Sequence, residues 1–545
     1  MDQKRTLSHR IRAFVRRPDS LFHPRHTAYK WFLLANVMFG TFMAVLDATV
    51  VNVALPTMMS SFGVALDKIQ WVITAYMLAM AVMLPTSGWL ADRYGYKLMY
   101  FLGLLLFTTG SLLSSLSPNE NLLITSRVIQ GLGAGTIQPL GMAIITKEFP
   151  VKQRGLALGF WGIAAAASVS FGPTIGGFIV DNFSWQLIFG INIPIGILAM
   201  LFTIIIQSEY KFPVKRKFDW IGFISVTIFM PVTLYALSET SDATNSAGWH
   251  APYILLCAAI SIIALVLFVT TELTVKDPII DLKLLGNHNF GLALTIMVFF
   301  SMGMFGSTFL FPVYLQNSLG YTALEAGSVF IPVGIIQGFI APISGRISDK
   351  INPKLPVIVG ILMMAFSFYL NSKLSILSEM KTIMVSMYIR GFGMGLTFTA
   401  LNTISLLQIP REKMAQASGL SNSIRQLGGS LGVAILATLL TTRSDFHSQQ
   451  YGTALNSYSQ AYQQTTKNIR YYALHDAGSS PGNAVKYSQE AILSNVTKQA
   501  YIEGINDDFL LSGIITLLGG IPIIFMHTKK SKSVKTTVHE PIRRI

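Results

Sequence analysis

Fourteen apolar runs, most of them about 20 residues long, are strung along this chain with short charged turns between nearly all of them. A helix needs roughly 20 apolar residues to cross a bilayer core. Inside that core every backbone polar group must be satisfied within its own helix or in a closed barrel. The runs fall at 31–55, 70–90, 98–116, 122–146, 156–180, 187–206, 219–238, 252–271, 290–315, 326–345, 355–371, 382–408, 415–440 and 509–526. None alternates with period 2 as a membrane barrel strand does. The pattern predicts an all-α membrane protein with 14 transmembrane helices. Only 12% of residues are charged, against about a quarter in soluble domains.

The turns carry a repeat. Gly88-Trp-Leu-Ala-Asp-Arg-Tyr-Gly-Tyr-Lys97 lies between runs 2 and 3, and Gly345-Arg-Ile-Ser-Asp-Lys350 lies in the same setting 257 residues later. Arg127-Val-Ile-Gln-Gly-Leu-Gly-Ala-Gly135 in run 4 matches Arg390-Gly-Phe-Gly-Met-Gly395 in run 12 at a similar offset. Two such halves predict a transporter of two similar bundles rocking about a central site. The expected layout is a basic leader (1–29), a six-helix bundle (30–207) and an inserted peripheral pair, runs 7 and 8, with flanking loops (208–283). A second six-helix bundle (284–528) and a basic tail (529–545) follow.

The formal charge of +15 is distributed by side. With a cytoplasmic N-terminus, the short inner turns hold sixteen Lys and Arg, and the outer ones hold only Lys68, Lys373 and Lys381. That asymmetry is the bias of cytoplasmic loops, so the basic excess reads as topology and not as nucleic-acid binding. Both termini are expected in the cytoplasm. Cys257 is the only cysteine, which leaves no disulfide and no cysteine-based metal site. No cleavable signal or lipidation pattern is evident.

Asp47 is the one acid deep inside a run. A charge at the bilayer centre costs at least about 2.5–3.5 kcal/mol and marks a functional site by default. Arg127 enters at similar depth from the outer end of run 4, so the two are expected to pair as a proton-coupling couple. A guanidinium favours the ionised carboxylate and burial disfavours it. Gln130 and Gln138 share the Arg127 face; Asn422, Arg425 and Gln426 line one side of run 13, Arg390 heads run 12, and Asn402 lies deeper on it. Asn52, Gln130, Gln138, Asn402, Asn422, Arg425 and Gln426 are expected to face the substrate cavity. Gly88, Asp92, Arg93, Gly95 and Asp349 of the two turns are expected to form the cytoplasmic gate, an acid there facing a helix N-terminus. Run 5 ends in Gly172-Pro173-Thr-Ile-Gly176-Gly177, small residues that permit close helix contact. Nine His residues show no metal spacing and no Walker loop is present. No catalytic set, metal or cofactor is therefore expected, and the energy source is read as an ion gradient or the substrate's own.

Together these residues resemble the major facilitator superfamily, in its fourteen-helix drug:proton antiporter branch of EmrB/QacA type, over nearly the whole chain. Leu46-Asp47-Ala-Thr-Val-Val-Asn52-Val-Ala-Leu-Pro56 looks like the branch's helix 1 signature. Gly88 to Lys97 looks like its loop motif, Arg127 to Gly135 like its proton-transfer motif, and Gly172 to Gly177 like its exporter motif. Asn192-Ile-Pro194-Ile-Gly196, Pro312-Val-Tyr-Leu-Gln316 and Arg425-Gln-Leu-Gly-Gly-Ser430 are similar to further landmarks. The resemblance implies export of a lipophilic small molecule in exchange for protons across the bacterial cytoplasmic (inner) membrane. The alternatives are a dedicated exporter of one metabolite, fatty acid or lipid, and a membrane sensor or scaffold without transport. Run 13 lacks the acid that some members with cationic substrates have, so dications are not expected. The polar segment 441–508 is expected to form a helical hairpin over the outer mouth, from Tyr451, Leu455, Tyr458 and Tyr462 and from 484–505. In the resembling family such a segment suits a periplasmic adaptor and an outer-membrane channel.

Overall fold

A computed structural model describes residues 26, 28–64, 66–69, 71–209, 218–240, 247–454, 460–475 and 480–526. The expected leader before residue 26, the basic stretch 210–217 and the tail from 527 lie outside the described residues. Within them the chain is predominantly helical, without a strand. The first bundle is α1 (Tyr29–Phe62), α2 (Trp71–Tyr94), α3 (Tyr96–Ser115), α4 (Glu120–Glu148), α5 (Arg154–Asn182) and α6 (Asn192–Ile206). Next come α7 (Trp220–Thr240) and α8 (Pro252–Thr274). The second bundle has α9 (His288–Val313), α10 (Ile331–Lys350), α11 (Lys354–Asn371), α12 (Met380–Leu406) and α13 (Met414–Ala454), closed by α15 (Pro481–Gly520) after a short α14 (Gln460–His475).

Twelve helices among the described residues are long and apolar enough to cross a membrane. The remaining long ones, α5 and α12, have 29 and 27 residues and lie inside the assembly, α5 against α1 and α10, α12 against α10 and α11. Local sequence sets their ends. The Asn119 side chain accepts from the Leu122 amide (2.9 Å) and starts α4, which puts Arg127 two turns in. Gly63, at φ +64°, stops α1.

Two seams join the halves, α5 with α10 and α2 with α13. Both are tightest at the end bearing the turns at 93–97, 147–154 and 346–354, here called the basic end. A Cβ on Gly155 would lie 2.5 Å from the Gly345 carbonyl, and one on Gly88 would lie 2.8 Å from the Gln416 amide. Backbone touches backbone at both places. The basic end is closed.

The inserted pair is not peripheral as a unit. α8 exposes most of its surface, including Ile262 and Ile263, but α7 packs on both α2 and α13 and reaches the central cavity. Its apolar sequence hid this, because a lipid-facing helix and a seam helix have similar composition.

The segment 441–508 also differs from expectation. α13 has 41 residues, about 60 Å at 1.5 Å per residue, twice the roughly 30 Å hydrocarbon core. Tyr451 therefore continues a spanning helix, and 484–505 is the first part of α15. The two run antiparallel as an upright stalk, clasped where Asp507 takes Arg443 (2.6 Å) and His447 (2.9 Å). Tyr462 is on α14, which packs on α15; Leu455, Tyr458 and 476–479 are outside the described residues.

Candidate functional site

Asp47 is 1% exposed and Arg127 is fully buried, and they form an ion pair between α1 and α4. The carboxylate has other partners. Oδ1 accepts from Gln130 Nε2 (2.8 Å) and from Asn192 Nδ2 (3.1 Å) at the start of α6. Ser111 Oγ on α3 accepts from the same two amides at 2.6 and 3.4 Å. Arg127 Nε donates to the Val72 carbonyl (2.9 Å) and Nη1 to Gln130 Oε1 (2.6 Å). Three helices meet on one acid, and α2 and α3 join the network through its donors. A buried pair survives when such hydrogen bonds satisfy its remaining valences.

This arrangement suits proton exchange. Protonating Asp47 removes its attraction for Arg127, yet Arg127 stays moored by Val72 and Gln130. One link between α1 and α4 can therefore be made and broken while the guanidinium keeps hydrogen-bond partners, at the cost of its counter-charge.

Next to the pair lies a cavity of about 390 Å³ between the bundles, with walls from α1, α2, α4, α5, α7, α9, α10, α12 and α13. Neither Asp47 nor Arg127 lines it. Tyr76 does, and its ring sits 4.1 Å from the Arg127 guanidinium while its hydroxyl donates to the Ala44 carbonyl (3.0 Å). One aromatic ring stands between the acid network and the cavity.

Of the expected cavity residues, Gln138, Arg425 and Gln426 line it. Four do not. Gln130 is spent on the Asp47 network, and Asn422 lies behind Arg425, accepting from its Nη2 (2.7 Å). Asn402 turns back to the Phe398 carbonyl (2.8 Å). Asn52 is exposed, its amide directed at Ala48 on its own helix. Sequence reasoning missed Tyr76, Thr308, Phe330 and Gln337 in the wall, and left Arg390 out of it. Ser111 and Asn192 were missed in the network, although Asn192 stood in a landmark motif.

The repeat needs a shift in register. Gly131 and Gly133 on α4 approach Tyr76 and Gly103, as Gly391 and Gly393 on α12 approach Val333 and Gly360. Tyr76 and Val333, like Gly103 and Gly360, are 257 residues apart, as the two turns are, whereas the glycine pairs are 260 apart. Arg390 therefore occupies the place of Gln130, one turn deeper than the place of Arg127.

The gate residues divide their work differently from expectation. Asp349 faces a helix N-terminus across the seam, accepting from the amides of Gly155 (2.9 Å) and Leu156 (3.0 Å) on α5. Asp92 takes the Tyr96 hydroxyl (2.8 Å) and, across the other seam, Gln416 Nε2 (3.4 Å). The start of α3 is held instead by Glu209, which accepts from the Lys97 amide (3.1 Å). Arg93 is exposed and stacks on Trp89 and Tyr94. Gly95 turns the chain at φ +107°. Gly172 and Gly176 seat α5 on Thr49 and Val50 of α1, next to Asp47, and Gly177 is buried; of Pro173 only the helical backbone is described.

Two similar helix bundles, a closed seam at one end and a central cavity beside a buried acid define a membrane transporter. Residues 37–433 match the Major Facilitator Superfamily, and the chain belongs to it. It is 31% identical to the uncharacterized MFS-type transporter YhcA of Bacillus subtilis (strain 168) over 514 residues, 94% of this chain and 95% of that protein. It is 32% identical to the multidrug export protein EmrB of Escherichia coli (strain K12) over 486 residues, 88% and 92% of the two chains. The fold matches that of the human organic anion transporter MFSD10 with a TM-score of 0.60, over 91% of this chain and 99% of that one, at 13% identity.

Proposed function

We propose that this transporter is a proton-coupled antiporter with 14 transmembrane helices, exporting lipophilic or amphipathic small molecules across the bacterial cytoplasmic membrane. The carrying observation is the Asp47–Arg127 pair held one tyrosine ring away from the cavity. The likeness to a multidrug export protein supports the substrate class. On this reading the basic end is cytoplasmic, both termini lie on that side, and the structure is the state closed to the cytoplasm. No cofactor is invoked; the proton gradient supplies the work.

A proton arriving from outside neutralises Asp47 and frees α1 from Arg127. Tyr76, resting on Arg127 and tied to α1 through Ala44, moves with either partner and so reports the proton to the cavity wall. Opening the cytoplasmic side means breaking the Asp349 and Asp92 contacts across the two seams. The stalk, with Phe446, Tyr471, Tyr472 and Leu493 exposed, is where a periplasmic adaptor leading to an outer-membrane channel would dock.

Purified protein in liposomes with a pH-sensitive dye inside tests the reading. Adding a lipophilic monocation, a neutral amphipath or an amphipathic anion should move protons only when the protein is present. Folded protein that moves no protons with any of the three would end the proposal.

A further inference from the structure

Arg390 is 1% exposed, and its Nε and Nη1 have no hydrogen-bond partner. Its Nη2 reaches the Met304 carbonyl (3.2 Å) and the Thr308 hydroxyl on α9. In the first half the matching position is Gln130, which is satisfied by Asp47. In the second half α9 offers only a threonine hydroxyl and a carbonyl. A guanidinium buried without its counter-charge is costly, and this one belongs to the cavity wall.

Arg425 lines the same cavity and is only partly engaged, by Asn422 (2.7 Å) and Gln138 (3.3 Å). Among the described residues no aspartate or glutamate lines the cavity. Phe330 and Phe398 lie 5.6 and 5.4 Å from the two guanidinium carbons, and the rest of the wall is mostly aliphatic, from methionine, leucine, valine and alanine. The first half brings its own acid to its buried cation. The second half leaves that place open towards the substrate.

We propose that the cavity takes an anionic amphipath whose carboxylate or sulfonate head accepts hydrogen bonds from Arg390, with Arg425 as the second donor and the apolar wall holding the tail. The inference rests on the antiporter reading and names its substrate class. Guanidinium and carboxylate match in geometry, and charge-assisted pairs are roughly twice as strong as neutral ones. One monoanion leaving for one proton entering moves two charges in the same sense. Export of an anion is therefore accelerated by a potential negative inside, whereas exchange of a monocation for one proton is indifferent to it.

The test uses full-length protein in proteoliposomes and two permanently charged probes of equal chain length, decanesulfonate and decyltrimethylammonium, followed as radiolabel moved in exchange for protons. Wild type should exchange decanesulfonate in preference, faster with a potassium–valinomycin potential set to drive it. Arg390→Gln should raise half-saturation for decanesulfonate about tenfold or more and shift the preference of the two probes towards decyltrimethylammonium. Arg390→Lys should recover part of the loss, which a folding defect would not. A wild type that prefers decyltrimethylammonium, or an Arg390→Gln variant with unaltered sulfonate exchange, overturns the anion inference while transport stands. Proton-linked movement of neither probe, nor of a neutral amphipath, sinks the antiporter reading beneath it.

Discussion

Asp47 is the only buried acid that the described structure sets beside the cavity with a full set of donors, so its substitution gives the clearest separation of functions. Asp47→Asn keeps the contacts from Gln130 and Asn192 geometrically possible but cannot exchange a proton. Export against a gradient should stop, while substrate exchange without a gradient continues; uphill export by this variant would remove Asp47 from the mechanism. Arg127→Ala strands a buried carboxylate, a loss of about 3–5 kcal/mol when one partner of such a pair is removed. The melting temperature in detergent should fall, and adding Asp47→Asn should restore most of it. A double variant that falls below Arg127→Ala by the full cost of Asp47→Asn alone would mean that the two side chains contribute separately. The couple was readable in the sequence because each is a lone charge in an apolar run. Tyr76, Ser111 and Asn192 were not, since they are ordinary residues on three other helices and a run of letters does not give a helix's rotation against its neighbours.

At the scale of helices, the two halves and the two charged turns came straight from spacing. Which acid crosses which seam did not. The better-preserved turn drew attention to Asp92, yet Asp349 of the shorter copy takes two amides of the opposite bundle. Motif quality and mechanical role are set independently. Gly155 tests the seam. Overpacking costs about 1–3 kcal/mol, so Gly155→Val should cut the population closed at the basic end roughly tenfold. In a Cys257→Ser background, a cysteine at Met394 in the cavity wall should then be labelled much faster from the basic side. Equal labelling rates would show that the seam does not gate the cavity. The same scale explains the misplacement of α7: its composition is that of a lipid-facing helix, and only its contacts with α2 and α13 reveal a wall element.

At the scale of the molecule, the stalk separates transport from its setting. Replacing 445–505 with a short Gly-Ser linker should leave proton-coupled movement in liposomes near wild type and abolish resistance of whole cells or recovery of an adaptor. Survival of both would reduce the stalk to a spacer. α13 makes a clean separation harder than it looks, however. One unbroken helix places Gln416 against Asp92 at the closed seam, Arg425 in the cavity and Arg443 in the stalk clasp. The rod's native glycine pair, Gly428–Gly429, is seated on Val298 and Phe305 of α9, so a torque applied outside passes along it. A protein that grips the stalk thereby holds the far seam some tens of ångströms away, and a stiff grip acts as a brake on the cycle. Turnover in reconstituted membranes should slow when the stalk is cross-linked or bound by a rigid binder, and recover when a glycine pair near Thr441 gives the rod a hinge.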